Sequence, residues 1–418
     1  MSAASAAGLP DVLVIGAGVV GLSCAIALQE RGTSVAVLDR EGPAAGASAG
    51  NAGAFAFSDI LPLASPKTLL RAPRWLFDPL GPLSVPPAYA LKAAPWMLRF
   101  ARASTPRRVR RSTLAQSSLM ALSRAELEPF LERTRTLSML RREGNLEVYE
   151  SVAERDAALP GWAAREQAGI AFRHMGASEM AALQPGLSPR FTHGTFTPGW
   201  YSIADPRDYV LALAEHFRAA GGRIEIAEAR SLHVEDDAVR VETSAGPVKA
   251  GRALVAAGAF SHRLTRTLGE PIPLETERGY NTTLPPGALD LRTQVTFGGH
   301  GFVVTRLSSG IRVGGAVEFA GLDRPSNFAR ADAMLAKVAR FLPGLATDGG
   351  RQWMGFRPSL PDSLPAIGFA RASDRVAYAF GHGHLGLTQS AGTARLVADL
   401  LTGRPAALDL TPFSPQRF

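Results

Sequence analysis

The stretch that most restricts the fold is "DVLVIGAGVVGLSCAIALQERGTSVAVLD", residues 11–39. From Val12 to Leu28 it runs 17 residues without a charge. A membrane span needs about 20 apolar residues, and three glycines within "GAGVVG" weaken a helix while suiting a turn. The segment therefore reads as strand, turn and helix, followed by a second apolar strand ending in Asp39. Gly16, Gly18 and Gly21 match G-x-G-x-x-G. The first glycine allows a tight turn, the second lets a pyrophosphate approach the backbone, and the third lets helix pack on strand. The helix start at Val19 and Val20 then faces the phosphates. Asp39 is placed to accept from the ribose hydroxyls of an adenosine, and an acid there disfavours a 2′-phosphate. A glycine-rich turn in an ordinary βαβ unit is the alternative.

At 418 residues, 46% hydrophobic and 20% charged, the chain is long enough for two domains or one elaborated one. The single cysteine, Cys24, excludes an internal disulfide framework and any CxxC metal or redox site, which fits a reducing cytoplasm. No metal site is indicated. The opening "MSAASAAGLPD" has no basic residue before the apolar stretch, so no signal peptide is expected.

Directly after Asp39 and Arg40 comes "GPAAGASAGNAGAF", residues 42–55, a small-residue loop containing Ser48, Asn51, Ala52 and Gly53. Such a loop lets backbone amides lie close to a large flat ligand. Its "GASAG" also matches the G-x-S-x-G nucleophile elbow, but no apolar strand runs into Ser48 and no helix pattern follows it. Residues 220–261 read as short alternating strands ending in "AAGAFS", with Gly258 in the turn. "GFRPSLPDSLPAIG", residues 355–368, starts at Gly355 and holds Arg357 and Asp362 among three prolines. Near the C-terminus a strand meets "GHGHLGLT", and Gly383, His384, Leu385, Gly386 and Thr388 lead into a helix whose dipole would point at the ligand.

Over nearly its whole length the chain resembles the FAD-dependent D-amino-acid dehydrogenases and their relatives, glycine oxidase and sarcosine oxidase among them. The carriers are "GAGVVGLSCAIAL", "ASAGNAG", "AAGAFS", "GFRPSLPDSLPAIG" and "GHGHLGLT", in the expected order. "PLETERGYN" and "VGGAVEFAGLD" look closest to the bacterial dehydrogenase branch, including enzymes acting on D-proline or D-hydroxyproline.

The resemblance implies an α/β protein. A Rossmann-like FAD domain of the glutathione-reductase type would gather residues 1–60, 205–265 and 350–418. A substrate domain on a mixed or antiparallel sheet would use residues 61–204 and 266–349. "GHGFVVTRL" and "GIRVGGAVEF" would be two of its strands, with "SSG" between them.

The chemistry implied is hydride transfer from an α-carbon bearing an amine to flavin N5, followed by hydrolysis of the imine. FAD is expected to be noncovalent. Arg357 aligns with the arginine that binds the substrate carboxylate, for which a planar guanidinium is suited by its two parallel donors; Asp362 is the rival partner that would make Arg357 a loop fastener. Tyr280 would be a hydroxyl partner, or else a core tyrosine, and Arg278 would be structural beside Glu275 and Glu277. His382 and His384 flank Gly383, either catalytic or structural, with His384 the catalytic candidate. An oxidase using O2 and a FAD-carrying electron-transfer subunit are the other readings. The electron acceptor of a dehydrogenase would be a quinone or a partner protein.

From Pro79 to Ala125 there are eight basic residues and no acidic one, which accounts for the whole net charge of +8. Nine prolines between Pro62 and Pro106 suggest an irregular covering loop. Residues 92–111 read either as a surface lying against anionic lipid at the inner face of the membrane, or as a solvated helix that packs Trp96 and Phe100 into its own core. Nucleic acid is not expected, because no binding fold accompanies the charge.

Overall fold

The computed structural model describes residues 9–70 and 83–418. Its first sheet has six strands in the order Arg223–Ile226, Val35–Asp39, Val12–Ile15, Arg252–Val255, Val376–Phe380 and Ala366–Phe369. The first five run parallel and the last antiparallel. The central strands are apolar except at their ends, at Arg252 and Asp39, because both faces are covered. Val12, Val14, Val35 and Val37 pack with the helices Val19–Gln29 and Gly386–Leu401 on one face. Leu13, Ile15, Ala36 and Leu38 pack on the other against Leu232, Val239 and Val241. Those three belong to a small antiparallel sheet of Ala229–Val234, Val239–Thr243 and Val248–Ala250.

The second sheet is mixed and has nine strands. Eight follow the order Arg351–Ser359, Glu275–Leu284, Gly310–Glu318, Phe302–Leu307, Gln294–Phe297, Asn145–Tyr149, His193–Thr197 and Arg173–Gly176, and the ninth, Leu83–Ser84, pairs with Gly310–Glu318. The hairpin of Phe302–Leu307 and Gly310–Glu318 closes with Leu307 opposite Gly310, so Ser308 and Ser309 make the turn. Helix Ala329–Phe341 packs on this sheet, burying Met334, Val338 and Phe341 with Tyr280, Val304 and Val313. The fold is thus an α/β parallel sheet joined to a mixed, largely antiparallel one.

Two expectations change. Strand Arg351–Ser359, grouped above with the cofactor-binding segments, lies at the edge of the second sheet and pairs with Glu275–Leu284 from Glu275 opposite Ser359 to Thr283 opposite Arg351. The main chain returns to the first sheet only at Ala366. The proline-rich stretch is also more regular than an irregular loop: Pro87 and Pro106 begin the helices Pro87–Ala103 and Pro106–Arg133, where a missing N–H leaves no bond unmade. Pro73, Pro79 and Pro82 lie outside the described residues.

Arg278 is fully buried and structural. It donates from Nε to the Gly321 carbonyl at 2.7 Å, from Nη1 to Pro325 at 3.1 Å and from Nη2 to Arg324 at 2.7 Å. Its charge partner is Glu318 at 3.8 Å. Glu275 instead accepts from the Tyr89 hydroxyl. Removing one side of such a buried pair leaves an uncompensated charge, at about 3–5 kcal/mol. Arg278→Ala is therefore expected to lower the thermal midpoint by several degrees or more, read by calorimetry, whereas replacing the exposed Arg292 should leave it within about a degree.

Candidate active site

One cavity of about 920 Å³ runs between the two sheets, at the upper end of the ~300–1,000 Å³ range of small-molecule sites. Its walls include Gly16, Gly18, Val19 and Val20 at one end, and Trp96, Phe100, Phe319 and Arg357 at the other.

The fingerprint turn is built as its glycines require. Gly16 sits at φ +118°, and a Cβ there would meet the Ala256 carbonyl. A Cβ at Gly21 would collide with the Gly16 carbonyl oxygen, so Gly21 packs helix on strand and does not line the cavity. Asp39 accepts from Ala17 N at 2.7 Å through Oδ2, and from Glu41 N and Gly42 N at 2.9 Å through Oδ1. Its carboxylate thus orders the turn and the following loop, and has acceptor capacity left toward the cavity. The Arg40 guanidinium lies 3.7 Å from the ring centre of Phe260.

The small-residue loop is held from both sides. Ser48 Oγ accepts from Val19 N at 3.1 Å, capping the first helix. From the second sheet, Arg312 Nη1 donates to the carbonyls of Ala49 at 3.1 Å and Asn51 at 2.5 Å, and Asn281 Nδ2 donates to Gly50 at 3.0 Å. Burial pulls the Arg312 guanidinium below its ordinary range, against the charge of Asp205. Asn51, Ala52 and Gly258 line the cavity, while Gly53, at φ +75°, only shapes the loop. Gly355 borders the cavity, but the Trp353 ring lies where a Cβ of Gly355 or Gly50 would be.

The second helix start is equally tied. Thr388 Oγ1 accepts from Ala56 N at 3.0 Å and donates to the Ala54 carbonyl at 3.3 Å, so its hydroxyl fastens the strand Ala54–Phe55. Gly383, His384, Leu385 and Gly386 all line the cavity. His382 is buried on Thr393 Oγ1 at 3.0 Å, and burial pushes its imidazole down to about 3. His384 is half-buried and its Nε2 is 2.9 Å from Asp59 Oδ2. Burial raises the Asp59 carboxyl, but the hydrogen bond and charge of His384, with Arg165 behind, hold it below its ordinary value.

Arg357 stands directly opposite Glu277, and its guanidinium covers Gly279, where a Cβ would lie 2.5 Å from Cζ. Nη1 donates to the Ala316 carbonyl at 2.9 Å. Its other nitrogens make no hydrogen bond among the described residues. Asp362 is not its partner: Asp362 takes two bonds from Arg417, Nε at 2.7 Å and Nη2 at 3.0 Å. Tyr280 is not the hydroxyl partner expected. Strand alternation turns its side chain to the other face of the sheet, where the hydroxyl donates to Glu318 Oε2 at 2.6 Å and accepts from Asn327 N at 3.1 Å. Arg312, Asn281, Trp353 and Glu277 were not marked as site residues from the sequence. Alternation in "ETERGYN" was the available signal, since it sets Glu277, Gly279 and Asn281 on one face.

The chain belongs to the family described as "DAO: FAD dependent oxidoreductase", which it matches over residues 11–400. It is a FAD-dependent oxidoreductase. Among its relatives, a D-amino-acid oxidase of Bradyrhizobium diazoefficiens is 37% identical, covering 97% of this chain and 98% of that one. A D-amino acid dehydrogenase of Sinorhizobium medicae is 31% identical, with 97% and 99% covered. The fold is similar to glycine oxidase from Geobacillus kaustophilus, at TM-score 0.79 and 22% identity over 98% of this chain and 99% of that one.

His382 provides a pH test. Held near 3 in the fold and near 6.5 when unfolded, it binds more protons in the unfolded chain between those values, so its contribution to stability falls as pH drops below about 6.5. His382→Gln should flatten the loss of thermal midpoint between pH 7 and pH 5, and the wild-type ring should show no NMR titration across that range.

Proposed function

We propose that this protein oxidises D-amino acids, with Arg357 as the carboxylate ligand. The observation that carries the reading is the Arg357 guanidinium, laid over Gly279 with one donor fixed and the rest of its fork turned to the cavity that the fingerprint glycines also line. The relatives' names support the substrate class. The Gly16–Gly21 turn, Asp39, the loop at residues 48–52 and the start of the helix at Gly386 would hold FAD: the turn leaves no room for a Cβ at Gly16 or Gly21, and Asp39, Ser48, Asn51, Ala52 and Gly386 line the cavity beside it. Bound FAD supplies the two-electron acceptor for the α-hydrogen. The chain's own residues bind the carboxylate, orient the α-carbon and keep water out; Trp96, Phe100 and Phe319 form an apolar wall around the substrate end. That wall suits an apolar or cyclic side chain, so D-proline and hydroxy-D-proline are the substrates we favour. On this reading the cofactor unit comprises the first sheet and the loops at residues 42–55 and 381–388, and the nine-stranded sheet supplies the substrate wall.

Anaerobic bleaching of flavin absorbance across a D-amino-acid panel, including D-proline and cis-4-hydroxy-D-proline, tests the activity. Absence of bleaching with every member would overturn it. Arg357→Lys keeps the charge and loses the fork. With charged hydrogen bonds at about 1.5–3 kcal/mol, it should raise the apparent KM roughly 10- to 100-fold at unchanged flavin content and thermal midpoint.

The acceptor we favour is a membrane quinone rather than O2. Helix Pro87–Ala103 lines the cavity with Trp96, Met97 and Phe100, while Leu91 and Leu98, 90% and 67% exposed, stand on its outer side with Lys92, Arg99 and Arg102. Among the described residues no helix is long and apolar enough to cross a membrane, so the contact would be peripheral. Co-sedimentation with vesicles containing phosphatidylserine should exceed that with neutral vesicles, and Leu91→Ser with Leu98→Ser should abolish the difference. Peroxide formation at the full turnover rate would exclude the quinone.

A further inference from the structure

The cavity holds one charged group that carboxylate binding leaves unexplained. Glu277 is a carboxylate only 4% exposed. It borders the main cavity and a small side pocket shared with Trp96, Phe100 and Ser359. Among the described residues it makes no hydrogen bond and no ion pair within 4 Å. A buried charge in that condition is costly unless something compensates it, and the compensating group is Arg357, directly across the antiparallel register. Directly opposite residues project to the same face, with Cβ atoms about 4.5–5.5 Å apart. The other charges near the substrate end are already committed. Glu275 is bonded to Tyr89, Arg278 is paired with Glu318 on the opposite face, and Asp59 is paired with His384.

We propose that Glu277 is the amine-recognising, specificity-determining residue of the cavity, and that it and Arg357 together select a zwitterion. The inference rests on the assignment of Arg357 to the substrate carboxylate. Without ligand, one positive and one negative charge face each other. A simple carboxylate ligand takes up the guanidinium and leaves Glu277 buried without compensation. An amino acid brings its own cation, so both charges are met and the cavity stays neutral. The site therefore discriminates against 2-hydroxy acids, N-acylated amino acids and monocarboxylates, all of which offer the carboxylate without the ammonium. The selectivity comes as much from the penalty on the wrong ligand as from attraction to the right one.

The test compares Glu277→Gln with wild-type holoenzyme by titration, followed through the flavin spectrum under anaerobic conditions, with propionate and benzoate as monocarboxylates and with D-amino acids. Glu277→Gln keeps the shape and removes the charge. The expected result is opposite in sign for the two ligand classes: Kd for D-amino acids rises tenfold or more, while Kd for propionate and benzoate falls several-fold. A merely structural role would weaken both together. Shifts in the same direction, or no shift in either, overturn the proposal. Glu277→Asp retains the charge and should keep the wild-type order of preference; loss of that order in Glu277→Asp at an unchanged thermal midpoint also overturns it. The monocarboxylate titrations need no turnover, so they report on Glu277 even if the D-amino-acid panel shows no oxidation.

Discussion

The attachment of the small-residue loop to the second sheet is the constraint on which the site depends. The first sheet alone presents a turn and two helix starts, which is half a binding site. Arg312 and Asn281 reach from neighbouring strands of the second sheet to the carbonyls of Ala49, Gly50 and Asn51. Ser48 caps the first helix from the same loop. The cavity walls are therefore tied through one short backbone segment, whose carbonyls at Ala49, Gly50 and Asn51 take no other hydrogen bond among the described residues. A buried guanidinium spanning two carbonyls is a stiff connector, since its donors are coplanar and their directions set.

This arrangement also accounts for which parts were legible in the sequence. The fingerprint turn was readable because glycine spacing, flanking apolar strands and the terminal acid are local, and local geometry dictates them. The hairpin at Ser308 and Ser309 was readable for the same reason. The placement of Arg351–Ser359 was not. Its residues can serve as a β-edge in either sheet, and its nine-residue pairing with Glu275–Leu284 is a contact between segments about 75 residues apart that no local pattern encodes. Asp362 looked like a partner for Arg357 because it is near in sequence, yet the C-terminal Arg417 occupies it. Of the two roles open for Tyr280, the geometry favours the core tyrosine: the period of two places its side chain and that of Arg357 on opposite faces of the sheet.

The same strand alternation separates two jobs on Glu275–Leu284. On one face Arg278 and Tyr280 join Glu318 and the 321–327 backbone in a network that is nearly sealed from water. On the other, Glu277, Gly279 and Asn281 face the cavity side, and each is matched to what lies across from it or above it. Gly279 is small because the Arg357 guanidinium lies on it, and Asn281 is an amide because it must donate to the Gly50 carbonyl. A buried polar network beneath a binding face gives rigidity where the ligand-facing side cannot, since groups awaiting a ligand must remain unsatisfied until it arrives.

That division bears on why an ion-like pair is tolerated next to an apolar wall. Arg357 and Glu277 are both largely removed from water, and burial lowers the Arg357 guanidinium while Glu277 raises it. Bringing the two into full contact would satisfy them and close the site, since a well-made buried pair leaves little affinity for a ligand. Tying one guanidinium nitrogen to the Ala316 carbonyl, and seating the rest on Gly279, keeps the fork from collapsing onto Glu277. The two charges then compensate each other at a distance, and on the proposed reading each keeps donors or acceptors for a ligand that carries their complements.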